Sequence, residues 1–361
     1  MITIDDERLA RAAIQADAEF VHSLFSQPRR GTESVSILSL LPFLSLFCFE
    51  GRRALKTLGD RVVPLPPDAE TMVEKSRHTV KLFMDTQREI EGQVAHFRQS
   101  LVPAQCGAFL GNTWLPLARL FETDLAIWNI KGVPFSTTHS AYFLSGAPDS
   151  VIAQLYKGAT YFSDTAKAYG DEFSRRSTGN SGDCCGWLRL DADLDRPKER
   201  KSVRVYANCF NGPASPDLNA TLIVHLALLR LAQVGVGCRH ANGSCYTQFK
   251  IKYLALYQVL ESLRSLRADG TQPLTANSQH WTDAILNTVP THITADSARR
   301  LRNLLVHYIP AHAGPPAGAG LLGEVLINAG VSSHWATILV SRLSDRALMH
   351  PGCRQVTALL A

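Results

Sequence analysis

The sequence lacks a hydrophobic segment long enough to cross a membrane. Its longest apolar run, residues 35–49, spans 15 residues and contains Pro42, whereas a spanning helix needs roughly 20 apolar residues. The first residues are acidic and include no apolar stretch of the secretory type. We therefore expect a cytoplasmic protein with no membrane partner, in which the apolar run is a buried element.

The chain also lacks the short motifs that mark common cofactor and metal sites. It has no glycine-rich phosphate loop followed by a lysine. None of its eight cysteines forms a Cys-x2–4-Cys pair, the spacing typical of zinc sites. We expect no cofactor and no metal, and we favour free thiols. The zinc alternative would combine Cys238, His240 and Cys245 with Cys209 or with the pair Cys184 and Cys185.

A cysteine nucleophile is another alternative from a different enzyme class. It would pair Cys106 or Cys185 with His139 or His225, but the residues around them match no protease signature. His139 lies in the polar segment 136–140, and we interpret it as structural. The five tryptophans are scattered, without the interleaved basic residues of single-strand binders, so we interpret them as core residues.

Composition and breakers predict two domains and an α+β fold. Hydrophobic residues make up 45% of the chain and charged residues 19%, which is typical of globular proteins. The strongest breaker, residues 211–217, separates a mixed α/β domain (1–210) from an all-helical domain (218–361). The net charge is +5, and residues 246–361 hold ten Lys/Arg against six Asp/Glu. A polyanionic partner is therefore allowed there, and the first domain is a candidate site for an activating ligand or partner.

Hydrophobic periodicity predicts the individual elements. Helices are predicted over residues 5–26, 151–174, 218–234, 249–266, 280–287, 294–309, 321–328 and 332–344. A long amphipathic helix is predicted over 68–102, ended by Pro103. Two strands are predicted over 187–190 and 202–210.

The predicted helix over residues 298–309 separates polar from apolar side chains. At 100° per residue, Arg299, Asn303 and His307 fall on one side together with Arg302. An arginine can hold a phosphate through two hydrogen bonds, and a histidine can transfer a proton near neutral pH. An ordinary solvated helix face would show the same pattern.

A second helix favours the functional interpretation. About 40 residues upstream stands the aromatic segment 253–261, Tyr-Leu-Ala-Leu-Tyr-Gln-Val-Leu-Glu. The two helices together resemble the HEPN superfamily, in which an aromatic helix ending in Leu-Glu precedes an Arg-Asn-x-x-x-His helix. The version in ApeA-like bacterial defence proteins is the one they resemble most. The resemblance covers roughly residues 218–345, about a third of the chain.

The resemblance implies a helical bundle that forms a homodimer, so that two copies of the motif face one cleft. It implies a metal-independent endoribonuclease, acting on RNA as a regulated toxin or anti-phage effector. His307 would act on the 2′-hydroxyl or the leaving group, Arg302 would hold the scissile phosphate, and Asn303 would orient one of them. Glu261 and Arg299 would support these residues.

Two points leave open whether one chain forms a complete catalytic site. Arg302 and His307 lie about 140° apart on the helix, so a second copy would be needed to complete a site. Other HEPN domains have lost catalysis. The alternative function is therefore a non-catalytic module that binds RNA, a nucleotide or a protein partner.

Overall fold

The computed structural model describes residues 3–26, 34–82, 89–130, 133–145, 164, 167–176, 196–209, 215–232, 246–269, 274–287, 295–309 and 320–330. The described chain is mostly helical and contains a small three-stranded antiparallel sheet. This confirms the prediction of a mixed fold, with a strong excess of helix.

Twelve α-helices account for most of the described residues. In chain order they are α1 Ile4–Ser26, α2 Ser34–Thr57, α3 Pro67–Leu82, α4 Glu89–His96, α5 Val102–Phe109, α6 Thr138–Ser145, α7 Ser202–Asn208, α8 Pro216–Arg230, α9 Tyr246–Asp269, α10 Ala276–Asn287, α11 Ala295–His307 and α12 Gly320–Asn328. A π-helical turn, Phe97–Leu101, joins α4 to α5, and a 3₁₀ turn covers Ala118–Phe121. Residues 167–174 are also helical.

The sheet has the strand order β2-β1-β3. Its strands are β1 Leu125–Ile130, β2 Val133–Thr137 and β3 Lys198–Arg200. β1 pairs antiparallel with both neighbours, and its register with β2 shifts between Trp128 and Asn129. Leu125 and Ile127 are buried, whereas Ala126 and Trp128 are only partly buried. One face of the strand therefore packs on the core.

The apolar run is buried, as predicted, within helix α2. Residues 39–48 of this run are buried, and Phe49 is partly buried. Pro42 lies inside the helix rather than at its end. None of the helices in the described ranges combines the length and the apolarity that a membrane span requires.

Two element predictions are wrong. Pro103 does not end a helix; it occupies the first turn of α5, where proline is tolerated because that N–H has no helical acceptor. Residues 202–208 form helix α7, not a strand. Ser202, Val205, Tyr206 and Cys209 are its buried side, which is helical spacing. The predicted strand at 187–190 and helix at 332–344 lie outside the described residues.

The helices predicted after residue 218 are confirmed wherever the structure describes them. Helix α8 is buried along almost its whole length, as its apolar surface predicts. Helix α9 packs against α1, and α11 packs against both α2 and α9. Buried residues from both sides of the 211–217 breaker belong to one hydrophobic core, and the division into two domains stays a prediction.

The tryptophan prediction is confirmed in part. Trp281 is buried and Trp128 packs against the core. Trp114 is 83% exposed, so its assignment to the core is wrong. Trp187 and Trp335 lie outside the described residues.

Candidate functional site

Helix α11 presents its predicted polar face away from the core. Its apolar side is anchored by Leu301, Leu305 and Val306, all buried. Arg299 and Asn303 are exposed, and Arg302 and His307 are partly exposed. The helix is therefore amphipathic as predicted, and its polar residues can reach a molecule in solution.

His307 is held by a carboxylate from a distant part of the chain. Its Nδ1 lies 3.0 Å from Oε2 of Glu50, which follows the apolar run in α2. The side chain of Glu50 is 2% exposed and that of His307 is 41% exposed. Because Nδ1 is engaged by the carboxylate, Nε2 is the ring nitrogen that can face a substrate.

The chain turns sharply directly after His307. Tyr308 has φ +59°, the only positive φ of a non-glycine residue in the described chain. Such a conformation is costly for a large side chain and persists only where the surroundings enforce it. Tyr308 is buried, its hydroxyl donates to Asp17, and the Ile309 N–H bonds back to the His307 carbonyl at 2.7 Å. The end of α11, and with it His307, is thus fixed by the core.

A buried ion pair lies behind this turn, and we call it the Asp17 cluster (Asp17, Lys250 and Tyr308). Nζ of Lys250 lies 2.6 Å from Oδ2 of Asp17, and both side chains are buried. The same Nζ stands 3.8 Å from the ring centroid of Tyr308 and 4.4 Å from that of Phe47. Burial lowers the pKa of Lys250, and the Asp17 and Glu50 charges oppose that shift. The cluster therefore lies next to the Glu50–His307 pair.

Arg302 and Asn303 interact with each other on the same face. Nη1 of Arg302 donates to Oδ1 of Asn303 at 2.6 Å. Arg302 and His307 are five positions apart, which corresponds to about 7.5 Å along the helix axis. The structure thus places the three predicted catalytic residues on one exposed helix surface.

The aromatic helix α9 lies beside α11, as the predicted helix pair requires. The Tyr253 hydroxyl donates to the Ala298 carbonyl of α11 at 3.0 Å. Burial raises the pKa of Tyr257, Glu261 raises it further, and Arg302 and Arg299 oppose this. These four charged or phenolic side chains therefore share one electrostatic environment.

Glu261 has a different partner from the one the resemblance implies. It forms an ion pair with Arg264 on its own helix. The carboxylate bonded to His307 is Glu50, which the sequence analysis did not identify. One signal pointed to it: a charged residue directly following a buried apolar run needs a partner.

The structure describes only some of the residues that the zinc alternative would use. Within the described ranges there is no group of three or more His, Cys, Asp or Glu side chains arranged to hold a metal. Cys209 is buried and not in a disulfide. The other proposed ligands lie outside the described residues.

The cysteine–histidine alternative involves a second polar cluster, which we call the Asp124 cluster (Asp124, Ser202, His139, Tyr206 and Cys106) and in which only Cys106 is partly exposed. Asp124 accepts hydrogen bonds from the Ser202 hydroxyl at 2.5 Å and from the Cys106 thiol at 3.3 Å. Nδ1 of His139 lies 2.7 Å from the Tyr206 hydroxyl. Burial and the Asp124 charge raise the pKa of Cys106 to about 11. A thiol so protonated is a poor nucleophile.

Both candidate histidines of this alternative are buried. His139 lies in helix α6 rather than in a polar turn, and burial lowers its pKa to about 4. Burial lowers the pKa of His225 in α8 to about 3. The interpretation of His139 as structural agrees with this placement.

Comparison with protein-family models, with curated proteins and with solved structures finds no match for this chain. The resemblance to HEPN domains therefore depends on residues 253–261 and 302–307 alone.

Proposed function

We propose that this protein is a metal-independent endoribonuclease of HEPN type, acting as a regulated toxin or anti-phage effector. The observation that carries the proposal is the Glu50–His307 pair at the end of an exposed Arg-Asn-x-x-x-His helix face. A carboxylate that holds one ring nitrogen of a histidine orients the other for proton transfer, and this is a common catalytic arrangement.

The proposed reaction uses the RNA itself as nucleophile. The 2′-hydroxyl attacks the adjacent phosphorus and loses its proton to a base. The bond to the 5′-oxygen breaks, and that oxygen receives a proton from an acid. The products are a 2′,3′-cyclic phosphate and a 5′-hydroxyl. Arg302 would bind the phosphate and stabilise the charge that develops on it.

Among the described residues, helix α11 carries one histidine, His307, whereas the reaction needs two proton transfers. His307 of one copy would act as base and His307 of a second copy as acid, in a homodimer with both α11 faces toward one cleft. Asn303, exposed and already bonded to Arg302, would orient the guanidinium. The +4 excess of residues 246–361 favours binding of a polyanion.

Helix α2 connects this site to the N-terminal half. Glu50 belongs to α2, whereas His307 lies 257 residues later in α11. A ligand or partner that shifts α2 would change the orientation of His307, which is how we propose that residues 1–210 regulate cleavage.

The test is RNA cleavage in EDTA by the full-length protein and by His307→Ala. We expect the substitution to lower the rate by about 10²–10⁴-fold, the usual contribution of general acid–base catalysis. Arg302→Ala should lower it comparably, and Glu50→Gln by less. End-group analysis should find cyclic phosphate.

Matched controls separate this site from general surface effects. His280 and Arg53 are exposed residues of α10 and α2, so His280→Ala and Arg53→Ala should cleave like the parent protein. Identical background cleavage by the parent protein and His307→Ala, with every candidate activator tried, would contradict the proposal.

The second candidate function is binding without cleavage. It is favoured by the set Arg299, Arg300 and Arg302 on one helix whose single acid is Asp296, a surface suited to any phosphate-bearing ligand. In that case Arg302→Ala should lose RNA, nucleotide or protein binding while no preparation shows turnover.

A further inference from the structure

An exposed apolar loop lies far along the chain from the candidate site. We call residues 111–122 the apolar loop. Trp114, Leu117 and Phe121 are 83%, 78% and 83% exposed, and Leu115 and Leu120 are exposed as well. Most of the large exposed apolar side chains in the described chain belong to this loop. Such a concentration marks a contact surface.

The loop is held in one shape by its own polar groups. The Glu122 carboxylate accepts hydrogen bonds from the Gly111 N–H at 2.5 Å and the Thr113 N–H at 2.7 Å. Nε of Arg119 donates to the Thr113 carbonyl at 2.9 Å. Gly111 has φ +81°, which a side chain would disfavour. The apolar side chains are therefore displayed by a closed, preorganised loop.

A basic segment, residues 196–204, runs beside this loop. Nζ of Lys201 donates to the Arg119 carbonyl at 3.3 Å, and the Thr123 hydroxyl donates to Glu199 at 3.1 Å. The segment holds five Lys/Arg and one Glu, for a charge of 5 − 1 = +4. The preceding residues 191–195 contain three aspartates and lie outside the described residues. Val203, 63% exposed, adds an apolar side chain to it.

Exposed aromatic and aliphatic side chains next to cationic side chains are suited to binding an anionic lipid bilayer. An anionic bilayer takes up Trp, Leu and Phe at the level of its headgroups and attracts Lys and Arg electrostatically. Leucine side chains offer no ring for bases to stack on, which disfavours single-stranded RNA. Two copies of the same +4 segment brought together about a two-fold axis would repel each other, which disfavours self-association.

We propose that the apolar loop and the basic segment form a docking surface for an anionic lipid bilayer. The loop inserts Trp114, Leu117 and Phe121 into the headgroup region while the basic segment contacts lipid phosphates. This surface is independent of the proposed ribonuclease site, and it departs from the sequence-based expectation of no membrane partner.

The test is cosedimentation of the full-length protein with vesicles of phosphatidylcholine alone or with about one third phosphatidylserine. We expect binding to the anionic vesicles only, weakening as salt is raised. Leu117→Ser/Phe121→Ser should reduce binding at least tenfold, because two apolar side chains no longer leave water. Lys198→Gln/Arg204→Gln should reduce it about fivefold per charge.

The matched control is Ile4→Ser/Ile327→Ser, which alters apolar side chains that are 87% and 57% exposed elsewhere. It should bind vesicles like the parent protein, and all variants should keep its melting temperature. Equal binding to both vesicle types, or unchanged binding by Leu117→Ser/Phe121→Ser, would overturn the proposal. The proposal would also be overturned if the parent protein formed a dimer or an RNA complex that Leu117→Ser/Phe121→Ser lost while this variant still bound vesicles.

Discussion

The two mostly buried polar clusters differ in the side chain that connects each of them to solvent. The Asp17 cluster adjoins Glu50, whose carboxylate meets the half-exposed ring of His307. In the Asp124 cluster His139 is buried completely, and its ring meets the buried hydroxyl of Tyr206. Both contain a carboxylate, a tyrosine and a polar partner. Each cluster connects to one partly exposed side chain, and in the Asp124 cluster this is the thiol of Cys106, whose pKa is raised to about 11. A protonated thiol is a poor nucleophile, and this is why we assign chemistry to the first cluster and structure to the second.

The largest effect is expected from Lys250→Met. It leaves Asp17 buried without its cation, which should lower the free energy of unfolding by about 3–5 kcal/mol. Denaturant unfolding measures this loss. Arg11→Met is the control, because Arg11 pairs with Glu7 and Asp60 at the surface and should cost under about 1 kcal/mol. Similar small losses in both would show that the Asp17 cluster is not a buried ion pair.

The second effect concerns pH and the buried histidine of the Asp124 cluster. Burial lowers the pKa of His139 from 6.5 to about 4 in the folded protein, so between these values the unfolded chain binds more protons. The unfolding free energy should therefore fall as pH drops from 6.5 to 4, with about 3 kcal/mol of the loss due to His139. His139→Gln should remove that part of the slope.

The control for this pH dependence is Tyr206→Phe. It removes the hydrogen bond to His139 but leaves the ring buried, so the slope should persist. A slope that vanishes in Tyr206→Phe would mean that the hydrogen bond, rather than burial, keeps His139 neutral.

A smaller effect separates the two clusters directly. Tyr308→Phe loses the hydrogen bond to Asp17 and should lower the unfolding free energy by about 1–3 kcal/mol. Because Tyr308 follows His307, the NMR signals of the His307 ring should also move. Tyr206→Phe should cost a similar amount and leave those signals in place. Equal movement in both variants would remove the distinction between the clusters.

The smallest effect is expected from Cys106→Ser. Serine can keep the hydrogen bond to Asp124, so stability should change by about 0.5 kcal/mol or less. The pKa of this thiol is raised to about 11, so the number of thiols that react quickly with a disulfide reagent at pH 8 should be unchanged. If the variant lost the fastest-reacting thiol, Cys106 would be a reactive thiol and the result would support the cysteine-nucleophile alternative.

Local patterns predicted much of the fold. Helical spacing located α1, α8, α9 and α11, because each buries one stripe or its whole surface. The same spacing was overlooked at 202–209, where Val203 and Val205 suggest a strand although the buried residues recur every three to four positions. Strand β1 was not predicted, because five of its six residues are apolar and a short apolar run without alternation does not distinguish a strand from a helix.

The candidate site was predictable only on one helix. Arg302, Asn303 and His307 are close in sequence, so a helical wheel brings them together. Glu50 and Lys250 join the site through tertiary packing, across 257 and 233 residues. Each is a single charge within a buried apolar stripe, and such a charge predicts that a partner exists without indicating which one.

The Lys250–Asp17 pair has a consequence for the order of events during synthesis. Asp17 leaves the ribosome 233 residues before Lys250 and 291 before Tyr308. A lone carboxylate cannot be buried at acceptable cost, so we expect α1 to keep this side hydrated until Lys250 has been made. We expect α1 to dock only after α9 has been made, and His307 to reach its final orientation only after α1 has docked.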